Sequence, residues 1–153
     1  MKFYLETLIK DAVVALKSLP LKEEVIINLQ DIENITCTRG IYIIEELNGD
    51  KQKTYNAFAE HKRKEYVAMP KLNLPSNILY VGSSRKNLKS RLLQHAGQCY
   101  KGTYALHLKN WFEGQIKITV KEYNVSDSVL QLIEDGISFE LKPAFGKAGG
   151  NNK

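Results

Sequence analysis

The feature of this sequence that most limits its fold is the alternation of short strand-like segments with longer helical ones. Apolar residues recur at helical spacing over residues 3–19, and Pro20 ends that pattern. Four short segments rich in β-branched and aromatic residues predict strands, the first of them being either a strand or an extended lead-in. These segments are 24–29, 39–47, 77–82 and 115–123. The alternation predicts an α/β or α+β domain.

Further helices are predicted between and after these strands. Asn87 is a suitable N-cap for a helix over residues 88–96, which Gly97 ends. Residues 104–112 predict another helix, and Ser126 or Asp127 begins one that reaches about residue 141, before Pro143. Between the second and third strands, residues 49–76 are less regular and predict an insertion or long loop with some helix.

The bulk composition predicts one ordinary globular domain. A chain of 153 residues that is 43% hydrophobic can bury a core without metals or disulfides. No apolar run is long enough to span a membrane, and the N-terminus lacks the apolar stretch of a secretory signal. Cys37 and Cys99 have no metal-binding spacing and fit a reducing cytosol, so we expect a cytoplasmic protein.

The net charge allows a polyanionic partner without requiring one. Lysine and arginine outnumber aspartate and glutamate by 22 to 17, which gives +5. The basic stretch 61–64, which contains Lys62 and Arg63, is a candidate DNA contact. A solvated charged surface explains the same stretch equally well.

Two strands each carry a tyrosine close to a glycine. Gly40-Ile41-Tyr42 lies in the second strand and Tyr80-Val81-Gly82 in the third. Glycine inside a strand often marks the close approach of another backbone or a ligand. Taken singly, each tyrosine is more readily explained as a half-buried residue of the sheet, which is the commonest position of tyrosine in a strand.

Candidate phosphate and metal ligands lie on the predicted helices. Arg91 and His95 are four residues apart, which places them on one helix face where they could grip a phosphate; a solvated arginine is the alternative. Glu134 lies in an apolar helical segment, and its carboxylate is a hard ligand suited to Mg²⁺ or Mn²⁺. Glu140, six residues later, is its rival.

The order and spacing of these features resemble the GIY-YIG nuclease family. Lys86-Asn87-Leu88-Lys89-Ser90-Arg91 is similar to a run in nucleotide-excision repair nucleases, and the step from Arg91 to His95 is similar to the homing and restriction branches. Leu132-Ile133-Glu134, with Pro143 nine residues further on, resembles the family's glutamate helix and terminal proline, which favours Glu134 over Glu140. The resemblance covers about residues 39–153.

The resemblance implies a fold and a division of the chain. The expected fold is a small, mainly antiparallel three-stranded sheet flanked by helices, with an extra N-terminal helix. Residues 1–38 would be an N-terminal extension to a nuclease core over 39–153, and residues 49–76 an insertion between the two motif strands. That gap is longer than in the compact repair domain, as it is in some restriction enzymes of the family.

The resemblance also implies a divalent-metal-dependent endonuclease that cuts double-stranded DNA, with a homodimer as one way to cut both strands. Glu134 would hold one Mg²⁺ or Mn²⁺, Tyr42 would act as general base with help from His95 or a nearby lysine, and Arg91 would hold the scissile phosphate. Tyr80 would complete the hydrogen-bond network. The expected DNA contacts are Lys86, Lys89, Arg91, Lys62 and Arg63.

One departure from the family pattern leaves alternatives open. The family's late asparagine usually follows the proline closely, and Gly146 occupies that place here. Asn151 or Asn152 could fold back into the role. A catalytically impaired nucleic-acid-binding module of the same fold is therefore the main alternative, and an unrelated α/β interaction protein is the other.

Overall fold

A computed structural model describes residues 1–147 of the chain. The helices and strands, in chain order, are α1 (Lys2–Lys17), β1 (Lys22–Ile26), β2 (Gly40–Leu47), α2 (Lys51–Glu65), β3 (Ile78–Ser84), α3 (Leu88–Ala96), β4 (Gln115–Glu122) and α4 (Asp127–Leu141). Short 3₁₀ helices cover Leu29–Asn34 and Leu108–Asn110. The α+β class and the antiparallel sheet expected from the sequence are confirmed.

The sheet has four strands, so the expectation of three is wrong. The strand order is β1-β4-β2-β3 and every pairing is antiparallel. The additional strand is β1, which pairs Lys22–Ile26 with β4. The residues preceding the first tyrosine motif thus contribute directly to the sheet.

Both faces of the sheet are covered, because strand side chains alternate between faces. Ile41, Ile43 and Val81 pack with residues of α4 on one face. Tyr42 and Ile44 belong to a larger core on the other face, together with residues of α2 and α3. The strand β3 lies at the edge of the sheet, with α3 following it on one side and α4 packed against it on the other.

Part of the insertion belongs to this larger core. Asp50 caps α2 by accepting hydrogen bonds from the backbone N–H groups of residues 52 and 53. Phe58 of α2 is fully buried and stacks on Phe145, with ring centroids 3.7 Å apart. The insertion therefore packs against the segment that follows α4.

The helix predicted over residues 104–112 is wrong, because only the turn Leu108–Asn110 is helical. The preceding backbone is held by tertiary hydrogen bonds instead: the Leu106 N–H donates to a histidine ring, and the Leu106 carbonyl accepts from the Trp111 indole. His107 has a left-handed conformation (φ 52°), which a continuing α-helix does not allow.

The helix α1 packs on α4 but buries none of its own residues. Its exposed side chains include Phe3, Ile9, Val13 and Leu16. No helix within residues 1–147 is both long and apolar enough to cross a membrane.

Candidate active site

The two tyrosine motifs meet side by side in the sheet. Tyr42 of β2 lies opposite Gly82 of β3, and the Tyr42 and Tyr80 rings are stacked with centroids 6.1 Å apart. A Cβ atom on Gly82 would overlap the Tyr42 hydroxyl and lie 2.9 Å from the Tyr80 ring. Gly82 therefore provides the space that both phenol rings occupy.

We expect Gly82→Ala to lower the free energy of unfolding by about 1–3 kcal/mol, because the added methyl group overpacks a buried contact. The displaced Tyr42 should also reduce any activity that depends on its hydroxyl. Chemical denaturation gives the stability change, and Gly136→Ala is a control because nothing lies within 4 Å of a Cβ at that helical glycine. Unchanged stability of Gly82→Ala would contradict the packing seen here.

His95 is fully buried and its protonation is determined by its two neighbours. The Leu106 backbone N–H donates to Nδ1 at 3.2 Å, so Nδ1 carries no proton. The neutral ring then carries its proton on Nε2, which lies 3.0 Å from the Tyr42 hydroxyl oxygen and donates to it. Burial and the nearby Arg91 charge lower the pKa of His95 well below its ordinary value, which keeps the ring neutral. His95 thus supports Tyr42 and has no free nitrogen for a substrate.

Arg91 is half-buried on α3, one turn before His95. Its guanidinium donates to the Gln94 side chain at 2.9 Å and lies close to the hydroxyls of Tyr42 and Tyr80. Arg91 therefore brings a fixed positive charge to both phenol oxygens.

Burial outweighs that charge in the titration of the two tyrosines. Burial raises the pKa of Tyr42 well above its ordinary value, and it raises the pKa of Tyr80 as well. The negative charge of the Glu134 carboxylate adds to both shifts because it disfavours the phenolate form. Both tyrosine hydroxyls therefore stay protonated at neutral pH in this structure.

Glu134 lies on α4 with 7% of its surface exposed. Its carboxylate accepts a short hydrogen bond from the Ser83 hydroxyl and a longer one from Gln131, at 3.5 Å. Burial raises the pKa of Glu134, which the Ser83 bond and the charge of Lys147 offset in part. Within residues 1–147, no basic side chain forms an ion pair with this carboxylate. By contrast, Glu140 is exposed.

A cleft of about 480 Å³ lies where β3 leads into α3. Every lining residue is of a polar or basic type: Ser83, Ser84, Arg85, Lys86, Asn87, Ser90, Arg91 and Gln94. Of the expected DNA contacts, Lys86 and Arg91 line this cleft and Lys89 does not. Lys62 and Arg63 lie on α2, where the Lys62 ammonium group donates to the Pro70 carbonyl at 2.9 Å.

The position expected for the late asparagine is occupied by a turn that supports Tyr80. Gly146 has φ 88°, and a Cβ there would lie 2.6 Å from the Tyr80 ring. Asn73, from the insertion, donates to the carbonyls of Pro143 and Gly146 at 3.0 and 2.9 Å. Asn151 and Asn152 lie outside the described residues.

Sequence reasoning missed four residues that the structure brings to this region: Ser83, Arg85, Asn73 and Lys147. Ser83 could have been found, because it follows Val81 by two residues and therefore faces α4, where Glu134 lies. Arg85 is adjacent to the basic run already singled out. No sequence signal connected Asn73 or Lys147 with the site.

Comparison with protein-family models, with curated proteins and with solved structures finds no match. The function of this chain is therefore inferred from its own residues. Their arrangement brings together a phenol with a fixed hydrogen-bond donor, a guanidinium group and a buried carboxylate near a basic cleft.

Proposed function

We propose that this protein is a divalent-metal-dependent endonuclease that hydrolyses phosphodiester bonds in double-stranded DNA. The observation that supports the proposal most is the convergence of Arg91, His95 and Tyr80 on the Tyr42 hydroxyl, with Glu134 nearby. Phosphodiester hydrolysis needs an activated water and stabilisation of charge on the phosphoryl group. These residue types can supply both.

Tyr42 is proposed as the general base. Its oxygen accepts a hydrogen bond from the His95 Nε2–H, so the Tyr42 hydroxyl does not donate its own proton to His95. Tyr42 gives its hydroxyl proton to solvent before the reaction, and the His95 donor and the Arg91 charge both stabilise the phenolate that then takes a proton from the attacking water. Because the pKa of Tyr42 is raised, the hydroxyl loses its proton only when further positive charge enters the site.

Glu134 is proposed as the ligand of one Mg²⁺ or Mn²⁺ ion. Its buried carboxylate forms no ion pair within residues 1–147, although Lys147 acts on it at longer range. A carboxylate without a close cation fits Mg²⁺, which keeps several waters and takes phosphate oxygens from its substrate. When bound, the ion would polarise the phosphate and stabilise the leaving oxygen. Ser83 holds the carboxylate in place for that role.

Arg91 is proposed to bind the scissile phosphate. A guanidinium group matches two phosphate oxygens at once, and the Gln94 bond orients it. Arg85 and Lys86, which line the same cleft, would hold neighbouring phosphates.

We expect the Lys86→Ala, Lys89→Ala double variant to bind DNA more weakly and with a shallower salt dependence. Each lost phosphate contact should reduce the slope of log K against log salt by about 0.9 for duplex DNA. Fluorescence anisotropy of a labelled duplex at several salt concentrations, with Ca²⁺ in place of Mg²⁺, measures this slope. Lys62→Ala, Arg63→Ala removes the same charge from α2; an equal loss in that variant would place the DNA contact on α2 as well.

A plasmid assay tests the proposed activity. Purified protein is incubated with supercoiled plasmid and Mg²⁺ or Mn²⁺, alongside Glu134→Ala and Arg91→Ala. The proposal predicts nicked and then linear DNA with wild type only, and none in EDTA. Equal cutting by wild type and Glu134→Ala would make the metal assignment wrong.

A nucleic-acid-binding module that no longer cuts is the second candidate. The observation in its favour is Gly146, which provides no side chain where the family pattern has an asparagine. This candidate predicts salt-sensitive DNA binding with no metal-dependent cleavage by any variant.

Cleavage of both strands by a chain with one such site needs two copies or two successive cuts. We propose a homodimer for this step, with the exposed apolar face of α1 as its contact surface. Sedimentation of wild type against Ile9→Glu, Val13→Glu distinguishes the two routes.

The two free thiols fit the proposed cytoplasmic location.

A further inference from the structure

A cysteine and a histidine form a pair outside the candidate active site. Cys99 lies on the turn that follows α3 and is partly exposed. Its sulfur lies 3.6 Å from Nδ1 of His107 and 3.4 Å from the carbonyl oxygen of Gln94. Neither the proposed cleavage reaction nor the sequence motifs use this pair.

The hydrogen bonds of His107 leave one nitrogen available to the thiol. Nε2 lies 2.7 Å from the Thr103 carbonyl and 3.2 Å from the Ala68 carbonyl, and carbonyl oxygens only accept. The neutral ring therefore carries its proton on Nε2. Nδ1 then presents its lone pair to the Cys99 thiol, and the ring, with 1% of its surface exposed, is fixed in this orientation.

The other cysteine has the opposite environment. Cys37 is 3% exposed, its thiol donates to the Arg39 carbonyl, and burial raises its pKa. No nitrogen base accepts from it within the described residues. Cys37 therefore serves as an internal control for Cys99.

A metal centre does not explain the pair. No group of three or more histidine, cysteine or carboxylate side chains within residues 1–147 could hold a metal ion. A thiol beside an oriented imidazole is instead the arrangement that activates a cysteine as a nucleophile.

We propose that Cys99 is a reactive thiol, and that its oxidation by a peroxide switches off the candidate active site. The thiol proton passes to His107 Nδ1, and the sulfur attacks one peroxide oxygen. An S–O bond forms and the O–O bond breaks, so the sulfur is oxidised to a sulfenic acid and the peroxide is reduced. The departing hydroxide takes the proton from His107 and leaves as water.

Two contacts connect this thiol to the candidate active site. The Cys99 sulfur lies beside the carbonyl of Gln94, which competes with His107 for the one thiol proton, and the Gln94 side chain holds the Arg91 guanidinium. His107 follows Leu106, whose N–H fixes the His95 ring. Oxidation replaces the small thiol between Gln94 and His107 with a larger sulfenic acid group, so we expect the segments that carry Gln94 and Leu106 to shift.

Alkylation rates test the reactivity without reference to DNA cleavage. Iodoacetamide is added to the folded protein, and mass spectrometry follows each cysteine. We expect Cys99 to react at least about tenfold faster than Cys37, and faster than Cys99 itself in the denatured chain. The denatured chain exposes both thiols fully, so a thiol that is merely exposed would react no faster when folded.

Replacing the base gives a second test. Asparagine tolerates the left-handed backbone of residue 107, so His107→Asn removes the imidazole with little strain. We expect the Cys99 rate to fall by on the order of tenfold. An unchanged rate, or a folded-state rate for Cys99 as low as that of Cys37, would overturn the proposal. If His107→Asn does not fold, the comparison of folded and denatured wild type decides the question.

The regulatory part rests on the proposed nuclease function, and its outcomes are separable. Hydrogen peroxide should abolish cleavage by wild type, a thiol reductant should restore it, and Cys99→Ser should cut before and after treatment. Equal inactivation of Cys99→Ser would overturn the coupling while leaving the nuclease proposal intact. A wild type that never cuts would overturn the nuclease proposal and leave the alkylation result to stand by itself.

Discussion

Glu134→Gln should lower the cleavage rate by about a thousandfold or more. In the absence of metal, its folded state should nevertheless be more stable than that of wild type. The loss follows because glutamine removes the charged oxygen ligand proposed for Mg²⁺. The gain follows because burial raises the pKa of Glu134, so its ionised form destabilises the folded state. Glutamine keeps an oxygen that can accept from Ser83.

The stability gain has a defined pH dependence. Below the ordinary glutamate pKa of 4.5, the carboxyl is protonated in both the folded and unfolded states and costs no stability. As the pH rises through the raised pKa of the folded state, wild type loses stability that Glu134→Gln keeps. Melting temperatures should therefore differ by a few degrees at pH 7 and converge towards pH 4.

Metal addition should reverse the order of stability. A ligand that binds only the folded state stabilises it, so Mn²⁺ should raise the melting temperature of wild type and not that of Glu134→Gln. Glu140→Gln is the matched control, because Glu140 is an exposed glutamate of the same helix. Equal Mn²⁺ shifts in wild type and Glu134→Gln would contradict the assignment of Glu134.

Tyr42→Phe should lower the cleavage rate by about a thousandfold, within the range that a positioned general base contributes. The substitution removes only the hydroxyl that accepts a hydrogen bond from His95, while the ring that stacks on Tyr80 stays. DNA binding should remain close to that of wild type, because Arg91 and the basic cleft are unchanged. Single-turnover rates at saturating protein separate this loss from any change in binding.

Tyr123→Phe is the matched control for that measurement. Tyr123 is a buried tyrosine that packs against α4 at the end of β4, and burial raises its pKa as it does that of Tyr42. We expect its cleavage rate to stay within a few-fold of wild type. A Tyr42→Phe enzyme that cuts as fast as Tyr123→Phe would eliminate Tyr42 as the base.

The parts of the fold that could be predicted from the sequence were those with a strong local pattern. The strand β4, with its alternating pattern, and the capped helix α3 begin and end almost where they were predicted. The helix predicted over residues 104–112 failed because the Leu106 backbone bonds to His95 and Trp111, which are contacts that no local pattern reveals. Residues 24–29 were predicted as a strand or an extended lead-in, but the pairing of β1 with β4 as a fourth strand was not, since that pairing is also a long-range contact.

The candidate site was predicted in its members but not in its internal chemistry. Arg91 and His95 were expected on one helix face, and the sheet register brings Tyr42 opposite Gly82. The sequence could not show that Leu106 fixes the His95 proton on Nε2, nor that burial outweighs Arg91 in the titration of Tyr42. Both depend on tertiary packing. Asn73 was missed because it reaches Gly146 from 73 residues away in the chain.

Cleavage of an end-labelled DNA duplex tests the central claim most directly. Wild type and Glu134→Gln are compared in Mg²⁺ and in Mn²⁺ under single-turnover conditions, and mass spectrometry identifies the new ends. We predict that wild type produces 5′-phosphate and 3′-hydroxyl ends, and that Glu134→Gln produces none above a protein-free control. Duplex left intact by wild type in both metals, or equal cutting by the two proteins, would contradict the claim that these residues form a metal-dependent nuclease site.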